Sequence, residues 1–107
     1  MSEVNLDGIA WDPGAREVAM LMVDTEGWDD EPGHLLRLQG RLNGYAAVVE
    51  TGAWRRLLPE ADPEPAGFRI VLSFMEPVTE GCVRLLQVAA AQLGEELGIS
   101  IEATAGE

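Results

Sequence analysis

Residues 24–36 read DTEGWDDEPGHLL. Five carboxylates, the only histidine and a tryptophan fall within the eleven residues from Asp24 to His34. Histidine among carboxylates can move a proton or ligate a metal, because imidazole is both a base and a ligand near neutral pH. A metal site wants three or four converging ligands. Local spacing offers two, Asp30 and His34, four residues apart on one side of a helix start. The calcium-loop pattern D-x-[DN]-x-[DN]-G fails, since Glu26 follows Asp24 and Trp28 stands where a third ligand belongs. The expectation is therefore no metal and no cofactor.

The same residues can simply open a helix. Asp29 or Asp30 can cap its first N–H groups, Pro32 fits its first turn, and carboxylates oppose the positive end of its dipole. Two readings stand side by side. One is a cleft built from Asp24, Trp28, Asp30, His34, Tyr45 and Glu50. The other is a helix entrance with His34 partly exposed and paired with a carboxylate. Cys82 is the only thiol. It falls near the start of a second helix, where the dipole lowers a thiol pKa and Glu80 opposes that effect. With one histidine and one cysteine there is no set for nucleophilic catalysis, and no catalytic residue is assigned. No phosphate loop, nucleophile elbow or zinc motif is present. Trp28, Trp54 and Tyr45 could line a small pocket, although aromatics more commonly fill cores and interfaces.

These residues need elements to hold them. Residues 4–11 and 17–23 flank a Pro13-Gly14 turn and read as a β-hairpin. Both faces of the second strand are apolar: Val18, Met20 and Met22 on one, Ala19, Leu21 and Val23 on the other. Leu35, Leu38, Leu42, Tyr45 and Val49 recur at helical spacing over 31–51, and Gly52 is a stop. Gly40 and Gly44, with Leu36 and Ala47, make a thin second face open to close packing. Residues 53–58 suggest a helical turn, and 59–67 a Pro-rich surface loop. Residues 68–75 form a third strand, with Phe68, Ile70, Leu72 and Phe74 on one face. Thr79 caps a second helix with stripe Val83, Leu86, Ala90, Leu93 and Leu97. Gly98 ends it, and a last strand places Ile99, Ile101 and Ala103 inward.

The order β-β-α-β-α-β predicts an α+β fold in one domain, residues 1–107. Right-handed crossovers put both helices on one face of a four-stranded mixed sheet, a two-layer α/β sandwich. The other face would carry Leu21, Val23, Val71 and Met75, with Ile9 or Trp11. Such a patch suggests an interaction surface and a symmetric homodimer.

Net charge is −12, and all seven basic residues are arginine. This chain would repel nucleic acid and anionic membrane surfaces, which need clustered cations. It would attract a basic protein; the alternative is that the charge serves solubility alone. No apolar run approaches the ~18 residues of a membrane span. MSEVNLDG lacks the basic and apolar segments of a signal peptide, which makes the cytoplasm the expected location.

The run W-D-D-E-P-G-H-L-L-R-L-Q-G-R-L-N-G-Y, followed by V-E-T-G, resembles a family of small bacterial proteins of unknown function. The matching positions are Trp28, His34, Leu38, Gln39, Leu42, Asn43, Tyr45, Glu50 and Gly52. Glycines 33, 40 and 44 depart from that family's more regular helix. The resemblance implies no activity and carries over no catalytic residue. Four roles then remain open: a non-enzymatic protein-interaction module or homodimer, an immunity or inhibitor-type protein covering a basic partner, a small enzyme or ligand-binding domain around His34, and a subunit of a larger complex.

Overall fold

The structure, a computed structural model, describes residues 6–105. Four strands form one mixed sheet in the order β1-β2-β3-β4: β1 (Gly8–Asp12), β2 (Glu17–Asp24), β3 (Gly67–Phe74) and β4 (Ile99–Ala105). Between β2 and β3 run α1 (Glu31–Thr51) and the single turn α2 (Trp54–Leu57). Helix α3 (Glu80–Leu97) joins β3 to β4. β1 is antiparallel to β2, and β2, β3 and β4 are mutually parallel. The expected element order and the α+β class are those observed.

Period-two alternation decides the layers. Val18, Met20, Met22, Ile70, Leu72 and Ile99 are fully covered, and they meet Leu38, Leu42, Tyr45 and Val48 of α1. Both long helices lie over this face and touch each other. Helix α1 turns slightly from its expected stripe, burying His34 and Val48 and leaving Val49 half-covered. In α3 the fully buried residue is Cys82, while Val83 is 41% exposed. The thin face of α1 meets solvent at Leu36, Gly40 and Ala47. Contact with α3 instead runs past Leu35, Leu42 and Asn43.

The ends of both helices are satisfied locally. Asp30 Oδ1 accepts from Gly33 N (3.2 Å), and Thr79 Oγ1 accepts from Cys82 N (3.2 Å). Gly52 and Gly98 adopt φ of 78° and 67°, the left-handed cap that glycine reaches without Cβ strain.

The expected first strand, 4–11, begins outside the described residues and is shorter than anticipated. Asp7 explains its start. Its carboxylate accepts from Val23 N (2.7 Å) and from Arg41 Nη2 (2.8 Å), while its N–H donates to Tyr45 Oη (3.3 Å). These side-chain bonds replace a strand ladder there. Ile9 and Trp11 lie opposite Met20 and Val18, so the register puts them on the helix face, not the open one.

That correction changes the open face. Met75 also falls beyond β3. What remains is Leu21, Val23 and Val71 beside an ion cluster. Arg69 sits between Asp12 (3.6 Å), Glu17 (3.4 Å) and Glu102 (3.8 Å). Charge therefore occupies ground where an apolar patch was expected.

Truncating Leu72, at the centre of the covered face, should cost about 2–5 kcal/mol in a urea titration. Leu36→Ala, on the solvent side of α1, should stay within about 0.5 kcal/mol. Equal costs would refute this assignment of faces.

Candidate functional site

Strand alternation carries Asp24 inward, in line behind Val18, Met20 and Met22. Helical spacing carries His34 inward, one turn before Leu38 and two before Leu42. A six-residue loop, 25–30, joins them, and their side chains meet beneath it. Asp24 is 2% exposed and His34 0%.

His34 Nε2 lies 2.7 Å from Asp24 Oδ2, and Nδ1 lies 3.0 Å from the carbonyl oxygen of Gly27. A carbonyl can only accept, so Nδ1 carries a proton and donates it. Between Nε2 and the Asp24 carboxyl one further proton is held, on whichever atom carries it. The other carboxyl oxygen, Oδ1, accepts from Glu26 N (3.0 Å). Neither imidazole nitrogen keeps a free lone pair. Trp28 stacks over the ring with centroids 3.8 Å apart and planes 25° apart. Phe74, opposite Asp24 in the β3 register, lies 6.3 Å from Trp28. The Trp28 indole N–H is buried without an acceptor among the described residues. That orphan donor costs about 1–3 kcal/mol, which stacking and burial of the ring must offset.

Glu26 stands at the solvent side of the pair. Its Oε1 accepts from Arg37 Nε (2.9 Å) and Nη2 (2.6 Å). The Arg37 hydrogen bond holds the Glu26 carboxyl below the usual carboxylate range. Ligand atoms of Asp24, Glu26 and His34 lie within 4.8 Å of one another. Each already has a partner, so a cation would have to displace Arg37 and the proton on the Asp24–His34 contact.

His34 was expected partly exposed and paired with a carboxylate; it is fully buried. Its carboxylate partner is Asp24, ten residues back, while Asp30 caps the helix, one of the two caps expected. Gly33, which looked like a departure from a regular helix, has a steric reason. A Cβ there would collide with the capping Asp30 carboxylate. Tyr45 is buried just over three helical turns beyond His34, roughly 16 Å along the axis, with its hydroxyl donating to Leu21 O (2.7 Å). Burial pushes its pKa up. Glu50 is exposed at the far end of α1. Of the six candidates, Asp24, Trp28 and His34 come together, and Asp30, Tyr45 and Glu50 serve elsewhere.

Gly27, Phe74 and Cys82 belong to this neighbourhood and were not among the candidates. Gly27 acts through its backbone, which leaves no mark in residue type. Phe74 could have been paired with Asp24 from their matching last positions in two inward-facing strands. Cys82 is fully buried. Burial pushes its thiol up to about 11, with the Asp24 and Glu31 charges acting in the same direction. This is the opposite of an activated nucleophile.

A groove of about 360 Å³ opens between α3 and β4, lined by Phe74, Val78, Val83, Leu86, Ile101 and Ala103 among others. His34 is not part of its wall.

One family model matches residues 1–106. The chain belongs to that family, the family of unknown function DUF6572. No curated protein and no solved structure matches the chain. The matched span covers every described strand and helix, so Asp24, Trp28 and His34 lie inside the shared unit.

Removing one partner of a buried pair strands the other. Asp24→Ala should lose about 3–5 kcal/mol of unfolding free energy, and the double variant with His34→Ala clearly less than the sum of the singles. Additive losses would mean that the two side chains do not act as a unit. Cys82 supplies a pH dependence. Above about 8.5 an ordinary thiol ionises, so the unfolded chain binds fewer protons there than the folded one. Stability should therefore fall as pH rises from that value to about 11, and level off beyond it. Cys82→Ala should remove this part of the slope, and an unchanged slope would contradict the assignment.

Proposed function

We propose that this protein acts in the cytoplasm by binding protein, as a self-associating interaction module rather than an enzyme. The observation that carries this reading is the closed state of the buried Asp24–His34 cluster. Both His34 nitrogens are engaged, Asp24 and His34 are out of contact with water, and Trp28 covers the ring. A general base must reach a substrate proton within hydrogen-bond distance. Here the reachable positions are already filled by the chain's own carbonyl and carboxylate. The one free cysteine is buried and held as a thiol, which suits a reducing compartment.

A second reading draws on the placement of charge. The loops after β2 and β3 lie at one end of the parallel strands, and the starts of α1 and α3 meet there, where Gly81 packs on Glu31. Glu26, Asp29, Asp30, Glu31, Glu76 and Glu80 gather at that end. An inhibitor-type protein that covers a basic partner would present such a face, with association steered by charge.

Salt separates the two. Copies of a chain at −12 repel, so self-association should strengthen as salt screens that repulsion, while capture of a basic partner should weaken. Sedimentation velocity at low and high ionic strength, together with affinity capture from the source cell's extract under both conditions, reads this directly. A monomer at every concentration, retaining no partner in either salt, would overturn both readings.

A further inference from the structure

Strand β4 closes one side of the sheet, with no strand beyond it among the described residues. Phe68 N donates to Gly98 O (3.2 Å), which fixes the bonding phase of the β3–β4 ladder. In a parallel pair, successive residues point their N–H and C=O alternately toward and away from the neighbour. Ser100, Glu102 and Thr104 therefore bond β3. Ile101, Ala103 and Ala105 turn their backbone groups outward.

Natural edge strands are shielded by brevity, lysine, proline, bulges or a covering element. The opposite edge, β1, is short: five residues, followed by Pro13. β4 has seven residues, is free of proline and lysine, and is exposed from Glu102 to Ala105. Its single charge, Glu102, points to the open face and toward Arg69. The groove alongside it is lined by apolar and neutral side chains only. On a chain of −12, this is a strand-shaped surface with no charge to attract a basic partner.

We infer that two copies pair through β4, antiparallel about a twofold axis at Ala103, to form a continuous eight-stranded sheet. This rests on the self-association proposed above and names its surface. The register follows from charge and access. A centre at Glu102 would set two carboxylates face to face in the closest type of cross-strand pair. A centre at Ile101 would need Ile99, which is fully buried. A centre at Ala103 pairs Ile101 with Ala105 of the other copy and Glu102 with its Thr104. Both α3 helices then lie on the same side of the sheet, and each groove is filled by the other copy's Val83, Leu86 and Gln87.

The test combines sedimentation equilibrium with amide hydrogen exchange on the whole chain. Wild type should sediment as a dimer, with the Ile101, Ala103 and Ala105 amides protected. Ala103→Pro removes an outward N–H and no bond to β3, and Ala103→Lys adds an edge charge. Each should weaken the dimer at least about tenfold and release the Ile101 and Ala105 amides, with the circular dichroism spectrum unchanged. A dimer that withstands both variants while those three amides exchange freely overturns the edge and keeps the self-association. A wild type that is monomeric throughout overturns both.

Discussion

The 2.7 Å contact between Asp24 and His34 is the constraint on which the rest of the molecule turns. It joins the last residue of β2 to the first turn of α1, and so fixes how the long helix leaves the sheet. Two polar side chains in a covered site are costly unless their hydrogen-bonding capacity is met. That requirement reaches outward. It draws the Gly27 carbonyl inward and commits Glu26 N to Asp24 Oδ1. It also places Trp28 over the ring. The loop between strand and helix is shaped by these demands more than by its own turn preferences.

Once α1 is set, its apolar side has one place to go. Leu38, Leu42, Tyr45 and Val48 descend onto Met20, Met22, Ile70 and Leu72. Tyr45 then reaches Leu21 O and the Asp7 N–H, so the far end of α1 holds the start of β1 as the near end holds the end of β2. The three parallel strands and the two helices over them share one core, which leaves a sheet face organised around Arg69 and an uncovered edge at β4.

Much of this was legible in residue order. Alternation in EVAMLMV and FRIVLSFM, helical spacing from Leu38 to Tyr45 and the caps at Asp29 or Asp30 and at Thr79 led to the fold class. The same alternation places Asp24 inward, and the i, i+4 relation to Leu38 places His34 inward. Ending the strand at Val23 and taking His34 as partly exposed hid both. Their mutual contact was out of reach for another reason: it depends on how a loop folds back, and its third partner is a backbone carbonyl. The facing of Ile9 and Trp11 depends on hairpin register, which a one-residue shift reverses. The neutral character of the β4 edge emerged only once Glu102 was seen turned toward Arg69.

The central claim is that the Asp24–His34–Gly27 unit is closed: it is architecture, with no imidazole lone pair to offer. Proton–nitrogen NMR of the His34 ring tests this most directly. The account predicts a proton on Nδ1 and a second in the Nε2–Asp24 contact, both slow to exchange with water and both unmoved by added zinc. A ring nitrogen that bears no proton, exchanges freely or shifts on zinc addition would contradict it, and would return His34 to chemistry.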